Sequence, residues 1–173
     1  MVKRSGVFNN NWQKEREHAQ NRMRLVFVPL SENEGFARVA VAAFMTQLDP
    51  TLEEIEDVRT AVSEAVTNSI IHGYPKACVL KQEAVSEKES IKNDEIVVEA
   101  YLTEKQIHIK VEDRGVGIEN IGKAMEPLFT TKPELERSGM GFAFMEAFMD
   151  ELFVESEPGK GTVVYMSKQI GGQ

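Results

Sequence analysis

Apolar positions follow two rhythms along this chain, and the order in which they alternate lays out its elements. Near residues 31–48, Phe36, Val39, Ala40, Ala43, Phe44 and Leu48 recur at about 3.6-residue spacing, which predicts an amphipathic helix. Ser31 and Glu34, three residues on, form a capping-box pattern at its start. Asp49-Pro50-Thr51 breaks it, and Thr51-Leu52-Glu53-Glu54 caps a second helix that runs to Gly73. Val58, Ala61, Val62, Ala65, Val66 and Ile70 give that second helix its apolar side. A third helix is predicted over 141–149. Strands are predicted over 23–30, where Pro29 closes a short run, and over 96–102 and 106–111, joined by Thr103-Glu104-Lys105. A last hairpin pairs 152–156 with 162–166 around Pro158-Gly159-Lys160-Gly161. Helices come early and most strands pair antiparallel, so the fold class is α+β, one sheet covered by helices.

Two segments fall outside these rhythms. Residues 1–22 are polar and read as a flexible N-terminal extension, with Trp12 as the one candidate anchor. Residues 76–94 are polar and mixed in charge, which fits an insertion loop. Composition adds bounds. At 173 residues, with 42% hydrophobic and 28% charged residues, the chain suits one soluble domain. No apolar run nears the roughly 18 residues that a membrane span requires, and no secretory signal is visible. A single cysteine, Cys78, rules out an internal disulfide and a Cys-rich zinc site. These features predict a cytoplasmic protein without membrane contact. A net charge of -8 argues against direct nucleic-acid binding. It leaves room for a polyphosphate held by backbone N–H groups, a few cations and a metal.

Candidate chemistry lies in four places. Glu64 and Asn68, one turn apart on the second helix, share a face. A carboxylate and a carboxamide so placed suit Mg²⁺, which takes oxygen ligands and keeps waters; alone, the pair also fits an ordinary polar stripe. Asp113-Arg114-Gly115-Val116-Gly117 follows a strand. The aspartate can accept a hydrogen bond from an exocyclic amine such as adenine N6, and Gly115 and Gly117 let backbone approach a ring; a tight turn is the plainer reading. Ser138-Gly139-Met140-Gly141 stands just before a helix, where backbone N–H groups and the helix dipole favour phosphate. Thr130, Thr131, Lys132 and Arg137 flank it, in a stretch over 122–138 that fits either a lid over nucleotide or a solvated loop. Thr162, after Gly161, can bond Asp113 and the adenine through water, or belong only to a turn.

The order Glu64/Asn68, Asp113-x-Gly115-x-Gly117, Gly139-x-Gly141, Gly161-Thr162 resembles the GHKL ATPase and kinase superfamily. That resemblance implies the Bergerat ATP-binding fold, a two-layer α/β sandwich with a mixed, mainly antiparallel sheet. Further segments narrow it: Phe36-Ala37-Arg38-Val39-Ala40, Gln47-Leu48-Asp49-Pro50-Thr51, Val62-Ser63-Glu64-Ala65-Val66-Thr67-Asn68, Pro127-Leu128-Phe129-Thr130-Thr131-Lys132-Pro133 and Glu136-Arg137-Ser138-Gly139-Met140-Gly141. Over about residues 23–168 they are similar to the anti-sigma F factors of endospore-forming bacteria. The first 22 residues have no place in that likeness.

The resemblance implies a GHKL kinase and anti-sigma domain over 23–168, with an insertion at 76–94, an ATP lid at 122–138 and a tail at 169–173. It implies a protein that inhibits a sporulation sigma factor and, with ATP, phosphorylates an anti-anti-sigma factor on serine, cycling between ATP and ADP. In that role Glu64 would be the general base, Asn68 would coordinate Mg²⁺, and Asp113 would read adenine beside Gly115, Gly117 and Thr162. Ser138, Gly139, Met140 and Gly141 would bind phosphate, with Thr130, Thr131, Lys132 and Arg137 around it. Arg38 would contact protein partners, and the chain would act as a homodimer. The alternatives are a general-stress-type anti-sigma serine kinase and a noncatalytic, ATP-dependent sigma-binding module.

Overall fold

The computed structural model describes residues 7–75, 94–126 and 140–171. Five strands form one sheet: β1 (Asn21–Phe27), β2 (Ile96–Leu102), β3 (Gln106–Asp113), β4 (Glu151–Glu157) and β5 (Gly161–Gln169). Their order is β1-β2-β3-β5-β4, and each of these neighbouring pairs is antiparallel. Alternation along the strands sends Ile96, Val98 and Ala100 of β2, Ile107, Ile109 and Val111 of β3, and Val164 and Met166 of β5 into one core. Helices α2 (Ser31–Met45), α3 (Leu52–Asn68) and α5 (Gly141–Phe148) cover that face. The short α4 (Ile121–Ala124) adds Ile121 to its margin. This is the α+β sandwich that the patterning predicts, but the buried face of α2 differs from the expected one. Ala37, Val41 and Met45 enter the core, Phe44 and Leu48 only flank it, and Phe36 and Val39 stay exposed.

Thr51 and Glu54 build the expected capping box on α3: the Glu54 N–H donates to Thr51 Oγ1 at 3.2 Å, and the Thr51 N–H donates to Glu54 Oε2 at 2.7 Å. Such a cap contributes about 1 kcal/mol. The expected box at Ser31 does not form. Leu30 is the N-cap of α2, without a side-chain cap, and the Leu30 carbonyl accepts from the Asn33 N–H. Glu34 turns instead towards Arg38 on the next turn, which removes it from capping.

Two boundaries also move. Within the stretch expected to be a flexible extension, Val7–Glu17 form a helix, α1, and β1 starts at Asn21. Trp12 is 3% exposed, packed against Tyr101 and Tyr165 on the sheet face opposite the other helices. At the other end, β5 runs to Gln169, Ile170 is buried, and the Gly171 N–H donates to Glu54 Oε1 at 2.9 Å. Part of the expected tail is therefore tied to the domain.

Candidate active site

The end of α3, the end of β3, the start of β5 and the start of α5 meet at one end of the molecule. Glu64 and Asn68 occupy the last turns of α3, and both are half-buried. Helix α5 begins against them. A methyl group on Gly141 would lie 3.1 Å from Glu64 Oε2, 3.1 Å from Asn68 Nδ2 and 3.2 Å from Asn68 Oδ1. A side chain there would press on both polar groups, so glycine lets the first turn of α5 approach them closely. Met140, the N-cap of α5, accepts from the Phe144 N–H at 2.9 Å.

Immediately after Asn68 the helix widens into a π turn, Ser69–Gly73. Single π turns of this kind are frequent at functional sites. This one carries the chain from the Glu64–Asn68 pair to Asp113. The Ser69 side chain hydrogen-bonds the Asp113 carboxyl, and a methyl on Gly73 would lie 2.9 Å from Asp113 Oδ1. Asp113 ends β3, paired with Ile96 on one side and Thr162 on the other. It is 3% exposed. Its Oδ1 accepts from the Gly115 N–H at 2.9 Å and the Thr162 N–H at 3.3 Å. Burial still pushes its carboxyl above the ordinary range, against the Gly115, Ser69 and Thr162 hydrogen bonds, which pull it down.

The glycines after Asp113 have an immediate neighbour other than a ring. A Cβ on Gly115 would fall 2.1 Å from the Gly73 carbonyl oxygen, and one on Gly117, at φ +72°, would fall 2.2 Å from the Glu157 carbonyl oxygen. Here glycine admits backbone against backbone, closed by Val116 N–H to Gly73 O at 3.0 Å and Gly159 N–H to Val116 O at 2.8 Å. Thr162 reaches Asp113 through its main chain. Its hydroxyl lies 2.9 Å from Ser156 Oγ, which also accepts from the Ile118 N–H at 2.8 Å.

Four residues of this frame escaped the pattern reading in this role: Ser69, Gly73, Tyr74 and Ser156. Gly73 looked like a helix stop. Tyr74 followed it without a visible partner, yet its hydroxyl accepts from the Arg114 N–H at 2.9 Å and donates to the Glu95 carbonyl at 2.7 Å. Only the pairing of distant segments reveals that clasp. Thr130, Thr131, Lys132, Arg137, Ser138 and Gly139 lie outside the described residues, as do all of the expected lid beyond Glu126 and the 76–93 part of the insertion. Arg38 stands apart on α2, half-buried, with Nε 3.7 Å from Glu34 Oε1.

A buried acceptor beside close-packed glycines, joined by one π turn to a carboxylate and a carboxamide at a helix start, defines the class: residues 28–168 match the histidine kinase-like ATPase domain. More particular likenesses follow. A Clostridium perfringens (strain SM101) protein named anti-sigma F factor is 55% identical over 150 residues, which covers 87% of this chain and 97% of that one. The anti-sigma F factor of Clostridium kluyveri (strain ATCC 8527) is 56% identical over 148 residues, 86% of this chain and 94% of that one. The chain belongs to the anti-sigma F factor family, with a kinase-type ATPase domain. At the level of fold, it resembles a crystal structure of the RsbU and RsbW domains of a Mycobacterium tuberculosis protein. The TM-score is 0.58 at 18% identity, covering 87% of this chain and 33% of that one.

Proposed function

We propose that this protein binds and inhibits a sporulation sigma factor, sigma F, and phosphorylates the cognate anti-anti-sigma factor on serine, using ATP and Mg²⁺. The observation that carries the kinase reading is the approach of Gly141 to both Glu64 Oε2 and Asn68 Oδ1. It puts a carboxylate, a carboxamide oxygen and a helix start within one small space, as phosphoryl transfer requires.

In the reaction, Glu64 accepts the proton of the substrate serine hydroxyl. The serine oxygen bonds to the γ-phosphorus, the bond to the β–γ bridging oxygen breaks, and ADP leaves. Asp113 accepts from the adenine amino group while the Gly115 and Thr162 amides hold its carboxyl in place. Gly139, Met140 and Gly141 present N–H groups to phosphate, with Ser138, Thr130, Thr131, Lys132 and Arg137 supplying hydroxyls and positive charge. Asn68 Oδ1 would hold Mg²⁺, with nucleotide oxygens and water as its other ligands. Bound there, the ion would neutralise charge on the phosphates. Among the described residues no helix is long and apolar enough to cross a membrane.

The partner reading is supported by relatives at 55% identity that share the anti-sigma F name. The likeness to the Mycobacterium tuberculosis structure, at 18% identity, bears on the fold alone and does not favour the general-stress alternative. The test is incubation with ATP, Mg²⁺ and the serine-bearing anti-anti-sigma factor. Phosphoserine should form, and Glu64→Gln should slow transfer by about 10²–10⁴-fold. Full rate in that variant would remove the base assignment. ATP binding without transfer to any partner would leave a sigma-binding module.

A further inference from the structure

Helix α5 has eight residues, about 12 Å at 1.5 Å per residue, and it is fixed at both ends. Its start rests on Glu64 and Asn68 through Gly141. Its far end is packed into the core through Met145 and Met149, and its last carbonyl carries a cation from β5. Lys168 Nζ donates to the Phe148 carbonyl at 2.8 Å and pairs with Asp57 Oδ2 at 3.0 Å. The Lys168 side chain is 13% exposed and that of Asp57 is 23% exposed, so solvent screens the pair only partly. Asp57 precedes Glu64 by seven residues on the same helix, about 10 Å of rise. The two helices therefore run antiparallel, and Lys168 clamps the end opposite the polar pair. An ammonium at the carbonyl end of a helix is also the favourable sign for its dipole.

We propose that Lys168 is a positioning residue for phosphate handling: from the far end of α5 it sets where that helix begins relative to Glu64 and Asn68. Because even a methyl on Gly141 would lie only 3.1–3.2 Å from the Glu64 and Asn68 side chains, the start of α5 sits directly over the polar pair. A slide of the helix along its axis would change where that start falls relative to them. The inference rests on the nucleotide reading above. It adds a residue that touches neither substrate nor the reacting atoms, and it separates the phosphate half of the site from the adenine half at Asp113.

The test uses the full chain with Lys168→Met, Lys168→Arg and Asp57→Asn. Dissociation constants for Mg-ATP and for adenosine are measured alongside hydrogen exchange at the Phe144 amide without nucleotide. Lys168→Met should weaken Mg-ATP by about tenfold and leave adenosine within about twofold. It should also speed Phe144 exchange and lower kcat more than it raises KM. Lys168→Arg should restore the parent values, and Asp57→Asn should shift them in the same direction by less. Parallel weakening of both ligands, unchanged Phe144 exchange, or an arginine variant as impaired as the methionine one would overturn the proposal. If Lys168→Met does not fold, the Asp57→Asn ratio of Mg-ATP to adenosine decides. Parent protein that binds neither ligand would instead sink the nucleotide reading itself.

Discussion

Asp113 keeps a carboxyl almost out of water at the end of a central strand, although burial disfavours its charge. Its pKa in the folded chain is raised. Folded protein thus binds more protons than unfolded chain as pH falls towards the ordinary carboxylate range, near 3.9. The sign follows: ionised Asp113 lowers stability at neutral pH, and the loss is relieved on acidification. On the proposed nucleotide reading, an adenine amino group that donates to the carboxylate would offset that cost. Asp113→Asn should therefore hold or raise the melting temperature while nucleotide affinity drops by about 30-fold, the worth of one charge-assisted hydrogen bond of about 2 kcal/mol. Calorimetry and a thermal melt on one sample check both halves. A variant that melts much lower, or binds ATP unchanged, contradicts this account.

Helix α1 is held on the outer sheet face by a small number of defined contacts. Trp12 meets Tyr101 edge-on, with ring centroids 4.7 Å apart, and Tyr165 at 5.4 Å. Tyr101 donates its hydroxyl proton to Glu15 at 3.0 Å, and Arg16 reaches buried Glu99 at 3.5 Å, where Arg24 and Lys110 also converge. Beneath the helix, His108 stacks on Tyr101 at 4.4 Å, and its Nε2 is buried without a hydrogen-bond partner among the described residues. Burial lowers the His108 pKa, while Glu15 of α1 and Glu151 of β4 pull it the other way. A chain with α1 undocked takes up a proton near the ordinary histidine value of about 6.5, and the docked form does not. Docking is therefore strongest above about pH 6.5 and weakens as pH falls below it. Trp12 is the sole tryptophan, so its emission should shift to the red between about pH 7.5 and 5.5. His108→Gln should flatten that response. Trp12→Ala should make residues 7–17 readily cleaved by protease at neutral pH, with ATP binding kept, because this face of the sheet lies away from Gly141.

At the scale of the molecule, the two sheet faces divide the labour. One packs α2, α3 and α5 into the core and aligns the site at their ends; the other is closed by α1. What remains open to partners includes a row on α2, where Phe36 is 58% and Val39 56% exposed beside Arg38. Apolar residues this exposed next to a guanidinium suit a protein interface, with arginine as an anchor. Arg38→Ala should reduce retention of the sigma factor by at least about tenfold, read by co-purification, while adenosine binding stays unchanged. The proposed homodimer should sediment at twice the 19.4 kDa chain mass. A monomer at micromolar concentration would remove that part of the proposal.

By itself the sequence determined the types of the main elements from β1 onward, because 3.6-residue and two-residue periodicities follow from burial of one face; it did not reveal α1. It also determined the local signals: the Thr51–Glu54 box, both hairpin turns, and the order of acidic, amide and glycine positions that marks a nucleotide site. Tertiary structure decided whatever depends on segments far apart in the chain. Trp12 became an anchor only when Tyr101 and Tyr165, from different strands, formed its seat. Gly115 and Gly117 acquired their closest neighbours from Gly73 and Glu157, and Lys168 found its partners on two helices. Periodicity gives the element type; it did not fix the buried face of α2, where Ala37, Val41 and Met45 enter the core while Phe36 and Val39 stay exposed. Nor does it record which distant group buries a position, which is what the contacts that align this site depend on.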